Sequence, residues 1–263
     1  MQQNQYDVTF YSSNRFQLSR DNMFRMSVPG LNKIIDSDIP RGYIIVLSGG
    51  LGTLKSTFAF TAMNGILKNN KKKIGAYVTI EQNSRMLIQN MKSSGIVPHK
   101  SIFFSDIASV YSNLKDLKIK IYYPETPEFA LKALNLGKYR CMFSDKPPVG
   151  GVKDMVCYTL DSLNALISIS EIKQEKRRDF INEFFYTLKK NNVIAFIIWE
   201  LDQNNEQANN EVFSLADGVL EFGINRDCDP PSRYFAVRKM KCVNYKLQEF
   251  GIGIGKNGVI LLS

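Results

Sequence analysis

The strongest constraint on this chain is the run Ile44-Ile45-Val46-Leu47-Ser48-Gly49-Gly50-Leu51-Gly52-Thr53-Leu54-Lys55-Ser56-Thr57. Its four leading apolar residues read as a strand buried on both faces, and Phe58-Ala59-Phe60-Thr61-Ala62-Met63 reads as the opening of a helix. Between them, Gly49 to Lys55-Ser56 has the spacing of G-x-x-x-x-G-K-[ST], with Leu54 where the last glycine belongs. Glycines let such a loop curl so that its N–H groups face anionic oxygens. The following helix adds its unsatisfied N–H groups and the positive end of its dipole. Residues Ser48 to Thr57 are therefore the candidate nucleotide-binding segment, with Lys55 on the β- and γ-phosphates and the Ser56 hydroxyl on Mg²⁺. Leu54 is expected to hold near-helical dihedrals, which leucine adopts without strain, although its side chain would crowd the phosphates. The bland alternative is a glycine-rich turn that binds nothing, and the flanking strand and helix weigh against it.

The 263 residues suffice for one α/β domain with a sizeable core. No apolar run approaches the ~20 residues that span a bilayer, and Met1-Gln2-Gln3-Asn4-Gln5 does not begin a secretory signal, so a cytoplasmic protein is expected. Cys141, Cys157, Cys228 and Cys242 stand far apart with no C-x-x-C, and His99 is the only histidine. That pattern argues against a zinc site or a disulfide framework and leaves Cys157 as a buried thiol. A net charge of +9 suits an anionic partner. The basic runs Lys71-Lys72-Lys73, Lys176-Arg177-Arg178 and Lys189-Lys190 fall at helix ends or surfaces, however, which argues against nucleic acid.

Residues 1–26 are polar, rich in Gln, Asn and Ser, and read as an N-terminal arm, with the domain proper over 27–263. Ile74 to Ile80 is a second apolar strand, followed by a helix from Met86 to Ser93 with Gly95 at its C-terminal cap. Ser101 to Phe104 is a short strand candidate. Ile119 to Tyr123 reads as a strand, Pro127 to Leu136 as a short helix, and Lys146 to Gly151 as loop. Met155 to Ser162 is a buried strand ending in an acid, Arg178 to Lys190 a helix, and Val193 to Glu200 another apolar strand. This alternation is the pattern of a parallel sheet covered by helices. Three further, more alternating strands close the chain, near 216–222, 234–241 and 259–262, with Lys256-Asn257-Gly258 as a hairpin turn.

Three carboxylates stand at strand ends, where ligand crevices of such sheets lie. Asp161 suits a Mg²⁺ ligand, its alternative being a helix N-cap shared with Ser162. Glu81 suits the residue that orients or deprotonates attacking water, its alternative being a first-turn acid on the next helix. Glu200 reads as a supporting or capping group. Lys239 and Lys241 alternate along a late strand, either solvated or projecting at a neighbouring subunit's phosphates.

Taken together, Val28-Pro29-Gly30-Leu31, Ile39-Pro40-Arg41-Gly42, the phosphate loop, Val78-Thr79-Ile80-Glu81-Gln82, Leu160-Asp161-Ser162, Ala216-Asp217-Gly218-Val219 and Arg238-Lys239-Met240-Lys241 resemble the KaiC family of RecA-like ATPases over residues 28–262. The resemblance implies a RecA-like core, binding and slow hydrolysis of ATP with Mg²⁺, and a homo-oligomer, often a hexameric ring, with nucleotide lodged between subunits. It places Glu81 on the first of two adjacent catalytic glutamates, and Lys239 and Lys241 on the basic pair that reaches the neighbour's γ-phosphate. Leu54 departs from the family loop, and Gln82 replaces the second glutamate. A single such domain gives no support to a clock role. The expectation is a nucleotide-gated switch or assembly platform with a protein partner; the alternatives are a non-hydrolysing ATP sensor and, behind it, a recombinase-like DNA-binding ATPase.

Overall fold

The computed structural model describes residues 23–70, 72–106, 155–169, 173–201 and 205–262. The strand expected at 119–123, the helix at 127–136 and the loop at 146–151 lie outside them, as do residues 1–22.

A short pair, β1 (Met23–Phe24) and β2 (Ile39–Pro40), precedes the first core strand, β3 (Ile44–Gly49). Helix α1 (Lys55–Lys68) follows the phosphate loop, then β4 (Ile74–Thr79), α2 (Ser84–Ser93) and β5 (Ile102–Asp106). Next come β6 (Met155–Asp161), α3 (Leu163–Ile169), α4 (Arg177–Lys190), β7 (Ile194–Glu200) and α5 (Glu206–Leu215). The chain closes on β8 (Gly218–Asn225), β9 (Ser232–Met240), β10 (Glu249–Gly255) and β11 (Gly258–Leu262). Among the described residues, nine strands form one sheet in the order β11-β10-β9-β8-β3-β7-β6-β4-β5. Strands β8, β3, β7, β6, β4 and β5 run parallel, and β9 to β11 add an antiparallel flank. The expected mainly parallel α/β sheet with antiparallel C-terminal strands is what forms.

Alternation along each strand sends its side chains to two separate cores. Ile45 and Leu47 face α1, α2 and the segment from Phe24 to Ile39, while Ile44 and Val46 face α3, α4 and α5. Each fully buried branched side chain contributes roughly 1.5–3 kcal/mol, and β3 through Leu47 is wholly enclosed. Helix α4 offers Ile181, Phe184, Phe185 and Leu188 at helical spacing to the second core.

Four details differ from the sequence reading. Met23 to Met26, expected in the arm, pack onto the body, with Phe24 and Met26 buried. Helix α2 starts at Ser84 rather than Met86, because Asn83 caps it by accepting the Arg85 N–H. Strand β10 adds a fourth C-terminal strand. Its Phe250-Gly251-Ile252-Gly253 alternation buries Phe250 and Ile252, and its glycines masked the pattern. The fourth difference, Leu54, belongs to the site.

Candidate functional site

The carboxyl ends of β3, β7, β6 and β4 meet α1 on one side of the sheet. The sequence-adjacent strands β3 and β4 are held apart by β7 and β6, so the loop leaving β3 opens over a crevice. Gly49 lies so close to β8 that a Cβ there would sit 2.1 Å from the Phe222 carbonyl oxygen, which excludes any side chain. Gly52 turns the loop with φ 73°. Leu54 also stands in the left-handed region, at φ 74° and ψ 18°, as the residue capping α1. The expectation of near-helical dihedrals is thus corrected. The loop must reverse its curl to enter the helix, and this path, set by its neighbours, asks for glycine. A leucine held there costs roughly 1–2 kcal/mol.

Lys55 is only 6% exposed and folds back over the loop, donating from Nζ to the carbonyls of Gly49 (2.8 Å) and Gly50 (2.6 Å). Thr53 Oγ1 donates to Gly50 as well, at 2.8 Å. Ser48 is buried and donates to the Leu220 carbonyl at 3.3 Å, tying the end of β3 to β8. Leu51 stands out from the loop, 78% exposed. Burial pulls the Lys55 ammonium below the usual lysine value, and the charges of Glu200 and Asp161 oppose that shift.

Asp161 closes β6 on the α1 side. Tyr77 of β4, fully buried, donates its hydroxyl to Asp161 Oδ2 at 2.7 Å, and Ser56 hydrogen-bonds the same side chain. Burial raises the Asp161 carboxyl above the usual range, against the downward pull of Tyr77, Ser56 and Lys55. Burial, with the Asp161 charge, holds Tyr77 far above its ordinary value, so it remains a neutral donor. The capping role goes to Ser162, whose Oγ accepts the Ala165 N–H at 3.2 Å. Glu81 lies beyond β4 and outside α2, whose first turn has no acid. Burial, then the charges of Glu200 and Asp161, raise its carboxyl above the ordinary glutamate value. Glu200 is positioned by Asn164, which both donates to its carbonyl (3.0 Å) and accepts its N–H (2.7 Å).

Two acids, Glu200 and Asp161, therefore act on Lys55, and Glu81 senses the charges of both. Among the described residues no cluster of three or more His, Cys, Asp or Glu is suited to a metal by itself. Mg²⁺ asks for less, since it binds through one or two protein oxygens plus phosphates and water. The Ser56 hydroxyl and Asp161 carboxylate, already bonded to each other, are a hard-oxygen pair of the right kind.

Lys239 and Lys241 are not brought to this loop. They lie towards the opposite end of the sheet: Lys241 is level with Ile44, five residues or ~16 Å along β3 from Gly49, and Lys239 with Val46, three residues or ~10 Å away. Lys239 Nζ donates to the carbonyls of Phe213 (2.9 Å) and Ser214 (3.3 Å), at the negative end of α5. Lys241 Nζ and Lys189 Nζ share Asp217 Oδ1, at 3.2 and 2.9 Å, while Asp217 Oδ2 accepts the Ile44 N–H. Burial, then the charge of Lys241, lowers Lys239, and Lys189 adds to the shift. The sequence reading assigns no functional role to Tyr77, Asp217 or Lys189. Tyr77 shares strand parity with Thr79 and Glu81, a signal that was present.

A family model described as "ATPase: KaiC" matches residues 24–110 and 151–263. No curated protein matches this chain. Among solved structures, the KaiC-like protein PH0186 from the hyperthermophilic archaeon Pyrococcus horikoshii OT3 is similar in fold, with a TM-score of 0.67 at 19% sequence identity, covering 92% of this chain and 99% of that one. No helix among the described residues is long and apolar enough to cross a membrane. With the phosphate loop, its lysine and the strand-end acids in place and the family model spanning most of the sequence, the chain belongs to the KaiC ATPase family, whose members are ATP-binding phosphate-loop proteins.

Proposed function

We propose that this chain binds Mg-ATP and hydrolyses it slowly, as a nucleotide-gated switch in a homo-oligomer. The observation that carries the reading is the buried Lys55 held against its own loop carbonyls, with Asp161 and its Ser56 bond close enough to act on it and Glu81 close enough to sense Asp161. On nucleotide entry Lys55 exchanges the Gly49 and Gly50 carbonyls for phosphate oxygens, and the loop N–H groups and the α1 N-terminus take the rest. Ser56 and Asp161 are the residues to hold Mg²⁺, which neutralises phosphate charge when bound. Tyr77 fixes one Asp161 oxygen. Glu81 orients the water that attacks the γ-phosphorus and accepts its proton, giving ADP and phosphate. Lys239 and Lys241 act on the nucleotide of a neighbouring copy, leaving their in-chain partners to stabilise charge on the transferred phosphoryl group.

A second reading, a sensor that binds ATP without turnover, is favoured by the strained Leu54 and by Gln82 in place of an acid. The deciding test is phosphate release from Mg-ATP beside Lys55→Ala and Glu81→Gln, with bound nucleotide assayed in each. Turnover in wild type that stops in Glu81→Gln while ATP stays bound supports the ATPase. Binding without turnover in wild type supports the sensor, and binding indifferent to Lys55→Ala overturns both.

A further inference from the structure

The strained loop has a support that comes from a distant part of the chain. Strand β8 runs beside β3 with Phe222 opposite Gly49, and the β8–β9 hairpin continues past that level, where Arg233 pairs with Ile224. From there Arg233 Nε donates to the carbonyl of Gly52 at 2.9 Å, across 181 residues of sequence. Gly52 is the residue at the crown of the phosphate loop, two before Leu54. At the ends of the segment Ser48 is tied to β8 and Ser56 to Asp161, but the side-chain bonds that hold the curl between them, from Thr53 and Lys55, arise within its own sequence. The Lys55 bonds are given up when a nucleotide enters, because Lys55 leaves the carbonyls it holds. The Arg233 bond lies outside that exchange. Its anchor is equally independent, since β9 pairs antiparallel with β8 from Ser232 through Val237 without a break in register.

We propose that Arg233 is a positioning residue for nucleotide binding: its Nε–H to Gly52 carbonyl bond holds the phosphate loop in the receptive shape that a left-handed Leu54 disfavours. This rests on the Mg-ATP reading above and deepens it. A loop with glycine at position 54 would enter α1 without strain and would have little need of the brace. With leucine there, releasing Gly52 lets the strain relax by uncurling the loop, and the N–H groups no longer converge on one anion. The guanidinium uses one of its five donors on Gly52, so a direct phosphate contact is the rival role, and the two roles differ in how they respond to residue 54.

The experiment compares wild type, Arg233→Ala, Arg233→Lys, Leu54→Gly and the double variant Arg233→Ala/Leu54→Gly. It measures the Kd for Mg-ATP, the thermal midpoint without nucleotide, and amide hydrogen exchange over residues 49–55 without nucleotide. The expected result is about fivefold weaker binding in Arg233→Ala, within the range of one exposed hydrogen bond. The loss falls below about twofold in the Leu54→Gly background, Arg233→Lys recovers part of it, and the midpoint moves by less than about 1 °C. Loop exchange quickens in Arg233→Ala, an arm that reads the brace even in a protein that binds no ATP and so separates this inference from the Mg-ATP reading. Unchanged loop exchange overturns the brace. A binding loss that persists undiminished with Leu54→Gly overturns positioning in favour of direct contact, and a loss that merely tracks a lowered midpoint overturns both.

Discussion

At the carboxyl-terminal edge of the sheet three acids sense one another, Glu81, Asp161 and Glu200, and two of them, Asp161 and Glu200, act on one lysine, Lys55; at the amino-terminal edge three lysines, Lys189, Lys239 and Lys241, gather about one aspartate, Asp217. Both edges pair a minority charge with an excess of the other sign, yet they are built for different tasks. Lys55 is buried and bonded to uncharged carbonyls, so its partners are exchangeable for phosphate with little rearrangement of the acids. Asp217 is the buried member at the other edge, and its lysines are nearly half exposed. There the surplus charge faces solvent. In the proposed homo-oligomer, an edge that becomes more negative on loading nucleotide would meet the surplus positive charge of the opposite edge of another copy, a head-to-tail contact.

The comparison breaks most sharply on Glu81. Glu81→Gln keeps the size of the side chain and removes the base, so turnover is expected to fall by roughly 10²–10⁴-fold with Mg-ATP affinity changed by no more than a few-fold, read by single-turnover phosphate release. Equal turnover in the variant would return Glu81 to a surface role. The next effect tests the other edge. Lys241→Ala is expected to lower turnover by at least about tenfold, a lower bound because transferred charge-stabilising groups reach 10³-fold or more and Lys239 remains. Nucleotide binding by dilute subunits should not change, and mixing Lys241→Ala with Lys55→Ala subunits should restore part of the activity, since each supplies what the other lacks. A mixture no better than its components would show that the lysines do not act between copies.

How much of this was legible in the sequence follows from what each feature depends on. The strand, loop and helix from Ile44 to Met63 are contiguous, and their apolar pattern and glycine spacing are local facts. The places of Asp161, which closes an apolar strand, and of Glu81, just past the end of another, were readable for the same reason. The convergence of Glu200 on them depends on β7 lying between β3 and β6, an order that a sequence does not display. Arg233 and Asp217 needed the hairpin and the β3–β8 pairing. Leu54 was misread because its φ is dictated by where the loop must go, not by what leucine prefers. Strand β10 escaped because alternate glycines lower strand propensity while still leaving Phe250 and Ile252 on one face.

Asp217→Asn probes the amino-terminal edge for stability. It leaves an acceptor for the Ile44 N–H but removes the charge that Lys189 and Lys241 share. Breaking a fully buried pair would cost about 3–5 kcal/mol, and the solvent around the two lysines reduces this to ~1–2 kcal/mol. A thermal midpoint lowered by about 4 °C, with Mg-ATP affinity of the isolated subunit unchanged, is the expected outcome. A coupled loss of nucleotide affinity would mean the two edges communicate within one chain.

The smallest effect sharpens the acid-rich edge itself. The Glu81 carboxyl is raised above its ordinary value by burial and by the charges of Glu200 and Asp161. A raised carboxyl keeps its proton to higher pH, so turnover that needs the ionised form should climb through a midpoint above the ordinary glutamate value as pH rises. By the same sign, the group's contribution to stability is complete below its unfolded-state value and is lost as pH rises through the folded one. Glu200→Gln removes one of the two like charges while leaving the Asn164 bonds, which go to the backbone of residue 200. The acid limb of the pH–rate profile should then shift towards lower pH, by a fraction of a unit to about one unit, with the alkaline limb unchanged. An acid limb that stays in place would mean that Glu200 and Glu81 do not sense each other when nucleotide is bound, and that three acids at one edge are neighbours in space without acting as one electrostatic group.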